Sequence, residues 1–122
     1  MRDSKIEPTH VGYSIVVTGL KPIPKQRPRF GNGRAFTPAT TRAYEDTLGW
    51  RFRQAAKVPL LGPIRVGIAF ETSSRADVDN LAKAVLDAGN GILYGDDSQV
   101  VSLIISKVKS ANEVIRVDIE EI

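Results

Sequence analysis

Apolar residues recur along this chain with two different periods, and the changes of period mark its elements. From 11 to 20 they alternate. Val11, Tyr13, Ile15 and Val17 fall on one face, and Gly12, Ser14 and Thr18 on the other, which predicts a half-buried strand closed by Gly19. Residues 37–57 repeat at three and four. Tyr44, Leu48, Phe52 and Ala55 form one stripe of a helix that starts at Thr37-Pro38, with Thr as N-cap and Pro in the first turn. Trp50 falls off that stripe and marks a second surface. Beyond Pro59 and Gly62-Pro63 alternation returns: Ile64, Val66, Ile68 and Phe70 predict a second strand. From Asp77 the period becomes helical again, with Val78, Leu81, Ala82, Val85 and Leu86 on the buried face and Gly89-Asn90-Gly91 as the stop. Residues 100–109 and 114–119 read as two strands joined at Asn112 into a hairpin.

The order strand, arm, helix, strand, helix, strand, strand predicts an α+β fold. We expect one small domain over 1–122, a four-stranded mixed β-sheet with two main helices packed on one face. Residues 1–10 carry no period and read as a loose tail, and His10, the single histidine, reads as a surface residue.

Composition narrows the chemistry. At 122 residues and 42% hydrophobic, the chain has enough apolar material for a core of its own. With no cysteine, it can have neither disulfides nor a thiolate zinc site, which fits a cytoplasmic protein. No apolar run reaches the roughly 20 residues of a membrane span, and the N-terminus lacks the apolar stretch of a signal peptide.

The net charge of +3 says little, but its distribution says more. Residues 21–37 carry Lys21, Lys25, Arg27, Arg29 and Arg34 without one acid, and Pro22, Pro24 and Pro28 forbid a helix there. This stretch reads as an extended arm with a tight turn, or a small hairpin, around Gly31 and Gly33. Its cations suit a phosphate backbone, and Phe30 and Phe36 are available to stack on bases.

Opposed to the arm is an acidic stretch, Arg75 to Val101, that gathers Asp77, Asp79, Asp87, Asp96 and Asp97 around Lys83. Crowded carboxylates repel, and Asp is a poor helix former, so a divalent cation is the simplest reason for the cluster. Asp77 stands at a helix mouth as a natural N-cap and Asp79 just inside it. Asp79, Lys83 and Asp87, four apart, line the flank facing away from the core. Asp96 and Asp97 sit on a turn beyond the other end of the helix. Such a site would hold Mg²⁺ with few protein ligands, polarise a phosphodiester and lower the pKa of a bound water. Lys83 adds a charge for the transition state, a hold on the attacking water or a proton for the leaving group; the spacing fits all three. Taken singly, each feature is an ordinary cap, an i,i+4 pair or a turn. Their conjunction is what points to chemistry.

The sequence Asp77-Val78-Asp79-Asn80-Leu81-x-Lys83, then Leu86-Asp87-Ala88, then Gly95-Asp96-Asp97-Ser98-Gln99-Val100, resembles the RusA family of Holliday-junction resolvases, endodeoxyribonucleases of phages, prophages and bacteria. Pro24-x-x-Arg27-Pro28-Arg29 also resembles the arm of many members. The resemblance runs from about Tyr13 to Ile119. It implies a homodimer that needs Mg²⁺ or Mn²⁺, binds four-way DNA junctions and makes paired nicks in recombination and repair. Carried onto matching positions, it makes Asp77, Asp79 and Asp97 metal ligands and Lys83 a catalytic lysine; Asp87 and Asp96 match without an assigned role. Some members carry a run of arginines before the Asp pair, where this chain keeps only Arg75, so the expected DNA grip is Lys25, Arg27, Arg29, Arg34 and Arg75. A rival reading is a non-catalytic junction-binding protein whose carboxylates are structural.

Overall fold

The computed structural model describes residues 11–25, 29–31, 34–36 and 39–122. Its elements are β1 (Gly12–Thr18), β2 (Arg29–Gly31), β3 (Arg34–Phe36), α1 (Ala39–Ala55), β4 (Ile64–Thr72), α2 (Val78–Gly89), a 3₁₀ turn (Asp97–Gln99), β5 (Val100–Lys109) and β6 (Val114–Glu121). Four strands form one mixed sheet in the order β1-β6-β4-β5, and β2 and β3 form a separate two-stranded ribbon. The expected α+β architecture is present. The ribbon realises the hairpin expected in the basic arm, while Thr37-Pro38, the expected start of α1, and the tail with His10 lie outside the described residues.

β4 shows why one face of the sheet is covered. Ile64, Val66, Ile68, Phe70 and Thr72 are buried, and Arg65, Gly67, Ala69 and Glu71 alternate with them on the more open side. Ile15 and Val17 of β1 and Ile115, Val117 and Ile119 of β6 join the same core. α1 lays Tyr44, Leu48 and Phe52 onto it, and α2 lays Leu81, Ala82 and Val85. Leu48 and Phe52 are fully buried, and each such side chain stabilises the fold by about 1.5–3 kcal/mol. The stripe of α1 ends differently from the expected pattern: Ala55 is exposed, and Ala56, just past the helix, is the buried residue. Val78 and Leu86 are only partly buried against the core, and Val11 lies outside β1 and is exposed.

The larger correction concerns the last two strands. They do not form a hairpin. β4 lies between them, parallel to β5 and antiparallel to β6. The short link 110–113 therefore steps over the end of β4, and its polar groups grip that end. The Ser110 N–H donates to the Thr72 carbonyl. Glu113 accepts from the Thr72 hydroxyl and from Ser73 N–H and Oγ. Turn chemistry at Asn112 marks a reversal, which is present, but alternation reports only which face of a strand is buried; the partners on its two edges are set by tertiary packing. With α2 as the crossover between parallel β4 and β5, the helix runs back along the sheet from the Thr72 end, where Asp77 begins it, to the Ile64 and Val100 end, where the Asp96-Asp97 turn enters β5.

Candidate metal and nucleic-acid site

The site is built where α2 begins and where the chain re-enters the sheet. The loop after β4 brings the chain to Asp77. Lys107 of β5 fixes that loop: its Nζ lies 2.6 Å from the Ala76 carbonyl and 3.4 Å from that of Ser74. Ser74 Oγ accepts from Ala76 N–H, and Thr72 Oγ1 accepts from Ser74 N–H, so the approach to Asp77 is tightly determined. Asp77 is the N-cap residue of α2, as expected, yet its side chain makes no capping hydrogen bond. Asp79, exposed in the first turn, accepts from the N–H of Asn80.

Further along α2, the flank that spacing predicts is present. Asp79 and Lys83 are exposed and Asp87 is half-buried. Lys83 Nζ lies 3.1 Å from Asp87 Oδ1 and 3.5 Å from Asp97 Oδ2. The hydrogen bond to Asp87 first, and the charges of Asp87 and Asp97 with it, hold the Lys83 ammonium above its usual pKa of 10.5. Lys83 is thus the meeting point of α2 and the turn after it.

That turn has a definite structure. Asp96 is the N-cap of the 3₁₀ turn and accepts from Ser98 N–H at 3.1 Å. The Ser98 side chain first, and the Ser98 N–H with it, keep its carboxylate below the ordinary value of 3.8. Gln99 closes the capping box: its Oε1 accepts from Gly95 N–H at 2.8 Å and Asp96 N–H at 3.0 Å. Its Nε2 donates to the carbonyls of Leu60 and Gly62, at 3.1 and 2.9 Å. Asp96 therefore shapes the turn, and Asp97 is the member presented to Lys83. Beneath them, Tyr94 is buried and donates its hydroxyl to the Leu86 carbonyl. Burial first, and then the negative charges of Asp97, Asp87 and Asp96, raise the Tyr94 phenol well above its ordinary range. Gly89 permits this packing, since a Cβ there would meet Tyr94 Oη at 3.1 Å and Leu93 Cδ1 at 3.2 Å.

Among the described residues, no three carboxylate or histidine side chains stand close enough to form a ready-made cation cage. Asp97 is brought to Lys83, and Asp79 lies one turn before Lys83 on the same flank. Asp77, Asp79 and Asp97 are not gathered into one cluster. The donor set still suits a hard cation: it is all carboxylate oxygen, and Asp77 spends none of its oxygens on the helix cap.

The five residues expected to take DNA differ in their surroundings. Arg75 is exposed two residues before Asp77. Arg27 lies outside the described residues, and Arg29 and Arg34 belong to β2 and β3. Lys25 is instead half-buried between Glu45 and Asp87, at 2.8 and 3.0 Å. Lys25, Glu45, Tyr94, Gln99 and Lys107 were not distinguishable as site-building residues by spacing alone. For Gln99, the capping-box pattern Asp-x-x-Gln was the available signal.

No helix among the described residues is long and apolar enough to cross a membrane. The endodeoxyribonuclease RusA family model matches residues 19–120. A Bacillus subtilis (strain 168) protein described as "Uncharacterized protein YqaN" is 46% identical over 50 residues, which are 41% of this chain and 35% of that protein. The match thus spans about a third of that relative's length. Family match, the Asp-x-Asp-Asn start of α2 and the capped Asp96-Asp97 turn agree, and the chain belongs to the endodeoxyribonuclease RusA family.

Proposed function

We propose that the chain is a metal-dependent endodeoxyribonuclease that binds four-way DNA junctions and resolves them by paired nicks, acting in the cytoplasm on recombination and repair intermediates. One observation beside family membership carries this reading. Lys83, from the flank that also bears Asp79, meets Asp97 from a separate, rigidly capped turn. A cation and carboxylates from two segments, set along the outer flank of α2, suit a substrate that is itself a polyanion.

In this reading Asp77, Asp79 and Asp97 hold Mg²⁺, with Mn²⁺ as a substitute. The ion supplies charge neutralisation at the scissile phosphate and a more acidic bound water. The protein's own groups do the rest. Lys83 keeps its proton at neutral pH and offers it, or its charge, to a phosphate oxygen as negative charge develops. Asp87 holds the Lys83 ammonium, and Asp96 with Gln99 fixes the turn so that Asp97 keeps its place. Arg27, Arg29, Arg34 and Arg75 take the DNA backbone. Lys25 leaves that set, because two carboxylates already neutralise it.

Two nicks in equivalent strands call for a two-fold enzyme, so we propose a homodimer. β5 is an edge strand of the sheet and exposes Val101, Ile104 and Val108, so it is a candidate for the interface. Trp50, 69% exposed, is a second.

The test is nicking of a synthetic four-way junction with Mg²⁺, Mn²⁺, Ca²⁺ or EDTA. Cutting with Mg²⁺ and none with EDTA is expected. Asp79→Asn should stop cutting while the gel-shifted complex with the junction survives. The second reading, a junction-binding protein without catalysis, draws on the three carboxylates not being gathered among the described residues. Binding without cutting under every metal would establish it.

A further inference from the structure

The root of the basic arm is tied into the site at one residue. The Lys25 N–H donates to the Asn80 carbonyl in the first turn of α2, at 3.0 Å. Its side chain then passes between the helices. Nζ lies 2.8 Å from Glu45 Oε2 of α1 and 3.0 Å from Asp87 Oδ2 of α2. The other oxygen of Asp87, Oδ1, faces Lys83 Nζ at 3.1 Å, and Lys83 reaches Asp97 Oδ2 at 3.5 Å. Charges therefore alternate along one line: Glu45, Lys25, Asp87, Lys83, Asp97.

The two ends of this line differ in their surroundings. The side chains of Lys25 and Asp87 are 24% and 17% exposed, whereas that of Lys83 is 52% exposed. Water screens the outer pair and leaves Lys83 a long, weakly restrained side chain. The inner pair is better shielded, and Glu45 and the Asn80 carbonyl hold Lys25 from two further directions. Asp87 with both oxygens free would be able to take the Lys83 ammonium symmetrically and draw it back along α2. With Oδ2 engaged by Lys25, only Oδ1 is left for Lys83, on the side where Asp97 stands.

Resting on the proposed nuclease activity, we propose that Lys25 is a positioning residue. By occupying one oxygen of Asp87 it sets the direction in which Lys83 faces Asp97, and so couples the seating of the basic arm to the placement of the catalytic lysine. A residue in the middle of a row of basic DNA contacts thereby acts on the rate of cutting rather than on DNA affinity.

The experiment compares wild type, Lys25→Met and Lys25→Arg for junction binding over a salt series and for single-turnover nicking at saturating protein. A parallel measurement follows the lysine ammonium groups by ¹H–¹⁵N NMR of the free protein. Lys25→Met is expected to lower the saturated nicking rate at least about tenfold, the scale of a displaced catalytic group. Its dissociation constant and the slope of affinity with salt stay within error of wild type. Lys25→Arg, which can still bridge two carboxylates, recovers part of the rate. The Lys83 ammonium resonance, followed at low temperature where exchange with water is slow, is expected to shift in Lys25→Met and to return toward its wild-type position in Lys25→Arg. If Lys25→Met melts below the assay temperature, Lys25→Gln, with an uncharged amide donor in place of the ammonium, replaces it. A weaker dissociation constant and a flatter salt slope with an unchanged saturated rate would make Lys25 a DNA contact and overturn the proposal. If wild type nicks no junction, the nuclease reading falls; the Lys83 ammonium resonance then decides the positioning role by itself, and an unchanged resonance in Lys25→Met rejects it.

Discussion

Lys107 Nζ sits 2.6 Å from the carbonyl oxygen of Ala76, so a cation on an edge strand holds the residue that precedes the first carboxylate of the site. The bond joins elements that are neighbours only because β5 lies parallel to β4 and the loop after β4 turns back over it. Hydrogen bonds from charged donors are worth about 1.5–3 kcal/mol. Lys107→Met keeps the stem and removes the donor. It should lower stability by about 1–2 kcal/mol, read as a fall in Tm, and slow junction nicking by releasing Asp77. Unchanged Tm and rate together would show that the loop holds itself.

Gln99 makes four hydrogen bonds with one amide, two at the Asp96 turn and two at the loop before β4. Gln99→Leu leaves those backbone groups without their partners, a loss of about 1–3 kcal/mol. Its effect on nicking should exceed its effect on stability, because Asp97 loses its fixed place. Thermal melting and nicking of the same preparation separate the two. Gln99→Glu, which keeps the acceptor and loses the donor, should fall between wild type and Gln99→Leu in Tm.

Acid should weaken the two capped turns before it weakens the core. The Thr72 hydroxyl first, with Ser73, holds the Glu113 carboxylate below its ordinary value of 4.5, and Ser98 holds Asp96 below 3.8. A carboxylate whose folded value is depressed stabilises the fold above its unfolded value, and that contribution is lost as pH falls through the folded value. Stability should therefore drop below about pH 4.5 as Glu113 takes up a proton, and again below about 3.8 for Asp96. Glu113→Gln should flatten the upper part of this decline in urea titrations run at a series of pH values, and an unaltered profile would assign the acid sensitivity elsewhere.

Lys83 makes the opposite linkage. Its ammonium is held above 10.5, chiefly by Asp87. A raised cation stabilises the fold at every pH below 10.5 and loses that effect as pH climbs through the folded value. Asp87→Asn should leave a protein whose stability falls less between neutrality and alkaline pH than that of wild type. Melting from pH 8 to 11.5 checks this, and a steeper alkaline decline in Asp87→Asn would contradict it.

Ile104 is 68% exposed on the edge strand β5. Ile104→Lys should prevent pairing through that edge and yield monomer in sedimentation, with the stability of the folded monomer changed by less than about 0.5 kcal/mol, as for surface substitutions. Retained dimer in Ile104→Lys would move the interface away from β5, to the surface around Trp50.

The sequence alone determined the periods, and with them the elements. Alternation in β4 and the three-four repeats in α1 and α2 follow from burial of one face, a property of each segment with its own side-chain spacing. The Asp-rich stretch was legible for the same reason: Asp79, Lys83 and Asp87 are four apart, and a helix must put them on one flank. Tertiary structure decided what segments cannot encode singly. It placed β4 between β5 and β6, with the 110–113 link held over the end of β4 by Glu113, because burial of one face leaves the choice of edge partners open. It gave Asp96 to the turn and Asp97 to Lys83, a division that two adjacent identical residues do not reveal. It also drew Lys25 out of the basic arm and set it between two carboxylates from different helices. Charge in sequence counts cations; only packing determines which of them is already neutralised inside the protein and which is left to meet a phosphate.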